Sequence, residues 1–167
     1  MPSSFEKDHR RELLILDAGP IHELVLFHAV RHFRFQSLSS DLKFILSSES
    51  YDQCSKFIGL FKRKTTSASV VCEINYWIRK TETKGQLKLW ELVYDEFWNM
   101  GMDEEVVRLL QMDTNSVAKF GPVDVSLLEI AKRQSCLNPI LLTIDRPLQR
   151  EGQQAGLRVQ LIQDLLL

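Results

Sequence analysis

The chain has 167 residues, 44% hydrophobic and 26% charged, with a formal net charge of -1. That make-up and size suit one ordinary globular domain with one sizeable core. A near-neutral charge excludes whole-molecule attraction to nucleic acid, so any such binding has to come from local basic patches around an acidic site.

The longest apolar stretches, such as residues 13–16 and 140–142, fall far short of the roughly 20 residues needed to span a bilayer, so no membrane insertion is expected. Residues 1–12 are polar and of mixed charge, and we expect an N-terminal extension rather than a secretory leader. Cys54, Cys72 and Cys136 are too irregularly spaced for a disulfide framework or a zinc pattern, which makes a reducing cytoplasm the expected setting.

Leu13-Leu-Ile-Leu is a compact apolar run ending at Asp17, followed by Ala-Gly-Pro and helical spacing through Ile21, Leu24, Val25, His28 and Ala29. It predicts a buried strand, a tight turn and a helix with Pro20 in its first turn. Residues 33–68 carry a weaker pattern broken by serine-rich stretches and are expected to form a helical and loop insertion. Residues 67–72 are β-prone, predicting a second strand that leads through Glu73 into a helix carrying Ile74, Trp77 and Ile78.

Leu87, Trp90, Leu92, Val93, Tyr94, Phe97 and Trp98 give an amphipathic pattern that predicts a helix with a glycine C-cap at Gly101. A third strand is expected at 106–112, and a loop through Gly121-Pro122 leads to a helix opened by Asp124, where a carboxylate suits the free N–H groups and the dipole. Residues 139–144 predict a fourth strand ending at Asp145, and 157–162 a fifth. Strands alternating with helices imply an α/β fold with a parallel sheet covered on both faces.

Asp17 and Asp145 both end strands, and ligands of open α/β sheets bind at that edge. Glu73 and Asp124 are expected to face it too. Four carboxylates meeting at one place would raise each other's pKa unless a cation lay between them. Hard oxygen donors favour Mg²⁺ or Mn²⁺ over zinc, and such an ion suits phosphodiester hydrolysis.

Four motifs then carry a resemblance. Leu14-Ile-Leu-Asp-Ala-Gly-Pro-Ile21, Val70-Val-Cys-Glu-Ile74, Gly121-Pro-Val-Asp-Val-Ser-Leu-Leu128 and Leu142-Thr-Ile-Asp-Arg146 resemble, in order and spacing, those of PIN-domain ribonucleases, including the VapC-like toxins of toxin-antitoxin pairs. The resemblance covers about residues 13–162. It implies a single PIN-like three-layer sandwich with about five parallel strands flanked by helices.

It also implies a metal-dependent endoribonuclease, a hydrolase acting on RNA with Mg²⁺ or Mn²⁺. Asp17, Asp124 and Asp145 would be metal ligands, Glu73 a direct or water-mediated one, and Thr143 an orienting group for Asp145 or a water. A cognate antitoxin protein and a homodimer are the partners it suggests. Many members carry a serine, threonine or asparagine two residues after the first aspartate, whereas this chain has Gly19.

Lys62, Arg63, Lys64, Arg79 and Arg146 are candidates for contact with an RNA backbone, with Lys132-Arg133 a further basic cluster. His28 and His32, four apart, lack the glutamate of a zinc-protease motif and are read as an exposed or partner-facing pair. Two other classes share part of this pattern: a PIN-like RNA- or protein-binding module without turnover, and a haloacid-dehalogenase-like phosphatase. The phosphatase needs a second aspartate where Gly19 stands.

Overall fold

The computed structural model describes residues 12–33, 48–81, 95 and 99–166. Its centre is a five-stranded sheet, all parallel, in the order β3-β2-β1-β4-β5. The strands are β1 (Leu13–Leu16), β2 (Arg63–Ser67), β3 (Met102–Glu105), β4 (Ile140–Thr143) and β5 (Arg158–Leu161). Helices α1 (Ala18–Phe33), α2 (Ser48–Gly59), α3 (Ala68–Thr81), α4 (Thr114–Phe120), α5 (Pro122–Arg133) and α6 (Arg146–Gln154) flank it. This is the α/β architecture expected of a PIN-like three-layer sandwich.

Parallel neighbours need crossovers, and these are right-handed almost without exception. That rule puts α1, α2 and α3, which connect β1 to β2 and β2 to β3, on one face. It puts α4, α5 and α6, leading from β3 through β4 to β5, on the other. The strand order therefore reverses between β1 and β4.

β1 and β4 are the sheet's middle and are buried along their whole length. Their Leu and Ile side chains join Ile21, Leu24, Val70, Leu127, Leu128 and Ile130 in one core. Each such side chain stabilises the fold by roughly 1.5–3 kcal/mol through removal from water.

Two strands lie away from their expected positions. The second strand is Arg63–Ser67, not 67–72; the helix already begins at Ala68, and Glu73 lies in its second turn. Thr65, Thr66 and Ser67 are buried although polar, because their hydroxyls find partners: Thr66 Oγ1 donates to Leu16 O at 2.7 Å and Thr65 Oγ1 to Asp103 O at 3.1 Å. Burial without such partners would be costly, so the β-branched threonines serve where aliphatics were expected.

The third strand is Met102–Glu105, not 106–112. It is an edge strand, and its acidic residues face solvent, while Val106, Leu109 and Leu110 are exposed beyond it. The stretch 33–68, expected as an insertion, holds α2 and the sheet strand β2. Two helices, α4 and α6, had no counterpart in the sequence reading. Gly101 and Gly121 adopt positive φ, the latter joining α4 to α5 in a turn that side chains disfavour.

The extension meets the described chain at Glu12, whose carboxylate binds Arg158 and Asn138 and so ties the entry to β1 to the far side of the sheet. Residues 1–11 lie outside the described residues, as does most of the amphipathic segment carrying Trp90, Tyr94, Phe97 and Trp98. Among the described residues no helix is long and apolar enough to cross a membrane.

Candidate active site

The reversal of strand order between β1 and β4 opens a crevice at the carboxyl ends of those two strands, the general ligand position of open parallel sheets. An acid stands at its mouth after each strand: Asp17 directly after β1, and Asp145 two positions past β4. The β1–β4 register pairs Leu16 with Leu142, which sets Asp17 opposite Thr143. The backbone N–H of Asp17 donates to Leu142 O at 3.0 Å, continuing the ladder by one step.

Asp17 is 7% exposed. One carboxylate oxygen accepts from the Ala18 N–H and the other from the Thr143 hydroxyl, each at 2.6 Å. Burial pushes its pKa up, the two hydrogen bonds pull it down, and the charge of Asp145 adds to the rise; burial wins and the pKa is raised. Thr143 is fully buried, and its oxygen also accepts the Asp145 N–H at 2.9 Å. Its hydroxyl thus orients the Asp17 carboxylate and the Asp145 backbone, not the Asp145 carboxylate.

Asp145 caps α6, accepting from the Leu148 N–H at 3.1 Å. The ordinary structural role of an acid at a helix start is therefore realised here, alongside its place at the crevice. Asp124 is the third residue of α5, as expected from its helix-opening position. Burial first, then the charges of Asp17, Asp145 and Glu73, raise its pKa from 3.8 to about 7. Glu73 projects from α3, and burial together with the charge of Asp17 raises its pKa as well.

The charges of Asp17, Asp145 and Glu73 all reach Asp124, yet among the described residues no three acids, histidines or cysteines are gathered into a formed ligand cage. The donor set is all carboxylate oxygen, which suits a hard divalent ion; the pKa of Asp124 is raised first by burial and then by the neighbouring charges, which such an ion would offset.

The raised pKa of Asp124 has a stability consequence of definite sign. Asp124 binds its proton more tightly folded than unfolded, so its contribution is full below the ordinary carboxylate pKa and is lost as pH rises through about 7. The metal-free protein is expected to melt lower at about pH 8 than at about pH 5, and Asp124→Asn is expected to shrink that difference. Thermal melts of the two proteins in chelator at both pH values measure it.

Gly19 has a packing reason. A Cβ there would lie 2.6 Å from Cδ1 of Ile144 and closer still to Cγ1, so the first turn of α1 can approach the loop after β4 only without a side chain. That close approach brings the loops bearing Asp17 and Asp145 together.

Two buried hydroxyls escaped the sequence reading. Ser67 caps α3 by accepting the Val70 N–H at 3.2 Å, and its oxygen is 2.7 Å from that of Ser126, two residues past Asp124. They link the start of α3, which bears Glu73, to the first turns of α5, which bear Asp124. The spacing of a serine three residues before Val70 was the signal for the cap.

Of the basic candidates, Arg146 alone is beside the acids, exposed at the start of α6. Lys62, Arg63 and Lys64 belong to the amino end of β2, the opposite end of the sheet, and Lys64 Nζ donates to Met100 O at 2.9 Å. Arg79 falls near the end of α3, and Lys132 and Arg133 at the end of α5, with Lys132 paired to Glu129. His28 Nδ1 is 3.3 Å from the Tyr51 hydroxyl, a contact between α1 and α2.

No family model and no curated relative matches the chain.

Proposed function

We propose that the protein is a divalent-metal-dependent endoribonuclease that hydrolyses RNA phosphodiester bonds at this crevice. The observation that carries the reading is the placing of Asp17, Glu73, Asp124 and Asp145 within one another's field at the strand-order reversal, with the Asp124 pKa raised to about 7. Phosphodiester chemistry follows from that acid set; RNA as the substrate follows from the motif resemblance.

Asp17, Asp124 and Asp145 would hold Mg²⁺ or Mn²⁺, with Glu73 binding directly or through water. When bound, the ion supplies an acidified water and neutralises charge building on the phosphodiester. Thr143 holds one oxygen of Asp17, which keeps that carboxylate in a single orientation. Glu73, exposed and with its proton affinity raised, is suited to accept the proton of the attacking water as its oxygen bonds to phosphorus and the ester P–O bond breaks. Arg146, at the mouth, is placed to meet a non-bridging phosphate oxygen. An antitoxin of the kind the resemblance implies would act by covering this acidic mouth.

A second reading, a PIN-like module that binds RNA or protein without turnover, draws on the absence of a formed ligand cage among the described residues and on Gly19. Incubating a pool of structured RNAs with the protein in Mg²⁺ or Mn²⁺, and melting the protein across a Mn²⁺ titration, separates the two. The nuclease is expected to cut and to gain thermal stability with Mn²⁺; a protein that does neither is the module.

A further inference from the structure

α1 and α3 start side by side, at the carboxyl ends of the neighbouring strands β1 and β2, and they pack against each other. Between them is a small cleft of about 130 Å³ lined by Ala18, Gly19, His22, Glu73, Ile74 and Trp77. Ala18, Gly19 and His22 are one turn of α1, and Glu73, Ile74 and Trp77 one turn of α3. Glu73 also belongs to the acid set and Ala18 donates to Asp17, so the cleft opens directly beside the crevice.

Its walls differ in kind from the crevice. The rings of His22 and Trp77 meet edge to face at 89°, and Ile74 adds an apolar side chain. Nε2 of His22 is buried and has no hydrogen-bond partner among the described residues. An unmatched polar atom in an apolar enclosure is a cost that a ligand's own donor or acceptor can remove.

We infer that this cleft is a nucleobase subsite that seats the base next to the scissile phosphate, with His22 reading its polar edge and Trp77 packing against its ring. The inference rests on the nuclease reading for its substrate.

Three features select that ligand class. Among the described residues no cationic side chain lines the cleft, which disfavours a phosphate or carboxylate. Burial pushes the His22 imidazole down to about 4, so near neutral pH it presents one donor and one acceptor and no charge. The volume is well below the roughly 300 Å³ at which pockets begin to enclose drug-sized molecules, which leaves room for one planar ring system.

The probes are the four uncharged ribonucleosides, titrated into the ¹⁵N-labelled wild-type protein and followed by amide chemical shifts. Shifts are expected to concentrate at 18–22 and 73–77, with one nucleoside preferred. Loss of a single hydrogen bond at this site is worth about tenfold in affinity, so His22→Phe is expected to weaken binding by about that factor. Trp77→Leu, a second variant with a different folding risk, is expected to weaken it as well. A short oligoribonucleotide is expected to displace the nucleoside.

In cleavage of mixed RNAs, the wild type is expected to show a base preference flanking the cut that flattens in His22→Phe. Absence of shifts at 18–22 and 73–77 overturns the subsite, as does binding that both variants leave intact while remaining folded. A nucleoside that no oligoribonucleotide displaces marks a site for free nucleosides and overturns the RNA assignment. Cleavage with no flanking preference, or one that His22→Phe leaves intact, overturns the subsite and leaves the nuclease standing. Nucleoside binding at the cleft without any RNA cleavage overturns the nuclease and with it the place beside a scissile phosphate, leaving a base-binding cleft.

Discussion

Asp17→Asn is expected to lower metal-dependent RNA cleavage by about a thousandfold, on the order of 4 kcal/mol of barrier, while leaving the fold intact. The shape of the side chain is preserved, and its hydrogen bonds can be re-made. An amide oxygen can still accept the Ala18 N–H, and the Thr143 oxygen can receive the amide N–H₂ while keeping its bond from the Asp145 N–H. What is lost is the most buried charge of the acid set.

The same substitution is expected to act oppositely on stability. Burial and then the charge of Asp145 raise the Asp17 pKa, and the charge of Asp17 in turn raises those of Glu73 and Asp124. Removing it relieves all three, so the variant should melt above wild type in chelator at about pH 8 and should gain less from Mn²⁺. Cleavage rates and paired melts test both halves. A folded variant with undiminished cleavage would remove Asp17 from the site, and the nuclease proposal with it.

The second large effect concerns Gly19, where many of the PIN-domain proteins that the motifs resemble carry a side chain. Gly19→Ser installs the hydroxyl that many PIN-domain proteins carry, and it is expected to destabilise this chain by about 1–3 kcal/mol through overpacking against Ile144. Serine is a better helix residue than glycine, but that gain is only about 0.5 kcal/mol, so the overlap wins. For a chain of this size each kcal/mol lowers Tm by roughly 2–4 °C.

Ile144→Ala removes the two atoms that a Cβ at position 19 would overlap. Serine at 19 should therefore cost less in the Ile144→Ala background, a coupling that a double-mutant cycle measures directly. Additive losses would show that the α1 turn and the β4 loop are not in the contact described.

How much was legible in the sequence varied with the kind of signal each residue carries. β1 is short, wholly apolar and flanked by Glu12 and Asp17, and β4 is apolar except for Thr143, so the positions of both strands could be read directly, with Asp17 directly after β1 and Asp145 two residues past β4. Asp124 was legible because a carboxylate in the first turn of a helix has a physical reason to be there. β2 was not, because Arg-Lys-Thr-Thr-Ser contains no aliphatic residue; its burial depends on hydroxyl partners on β1 and β3 that only the sheet order supplies. The apolar Val70-Val71 that drew the second strand downstream lies instead in a helix, with Val70 in the core.

β3 failed for the complementary reason. An edge strand need not be apolar, and Met-Asp-Glu-Glu is not, whereas the aliphatic run after it stays exposed. Glu73 kept its place among the acids although its element shifted, since the second turn of α3 still overlooks the same edge. His22 was passed over in favour of His28 and His32, whose i,i+4 spacing is a familiar sign; its significance comes from Trp77 on another helix, a pairing that no local spacing reveals.

The hydrogen bond between Thr143 and Asp17 joins residues 126 positions apart. During translation β1 emerges early but cannot finish its pairing until β4 follows, an interval on the order of ten seconds at ordinary ribosomal speeds. The acids collected from α3, α5 and the β4 loop arrive over that same interval. If the crevice is a nuclease, the nascent chain is harmless to the RNA being read beside it, and activity switches on only when the last central strand closes into the sheet.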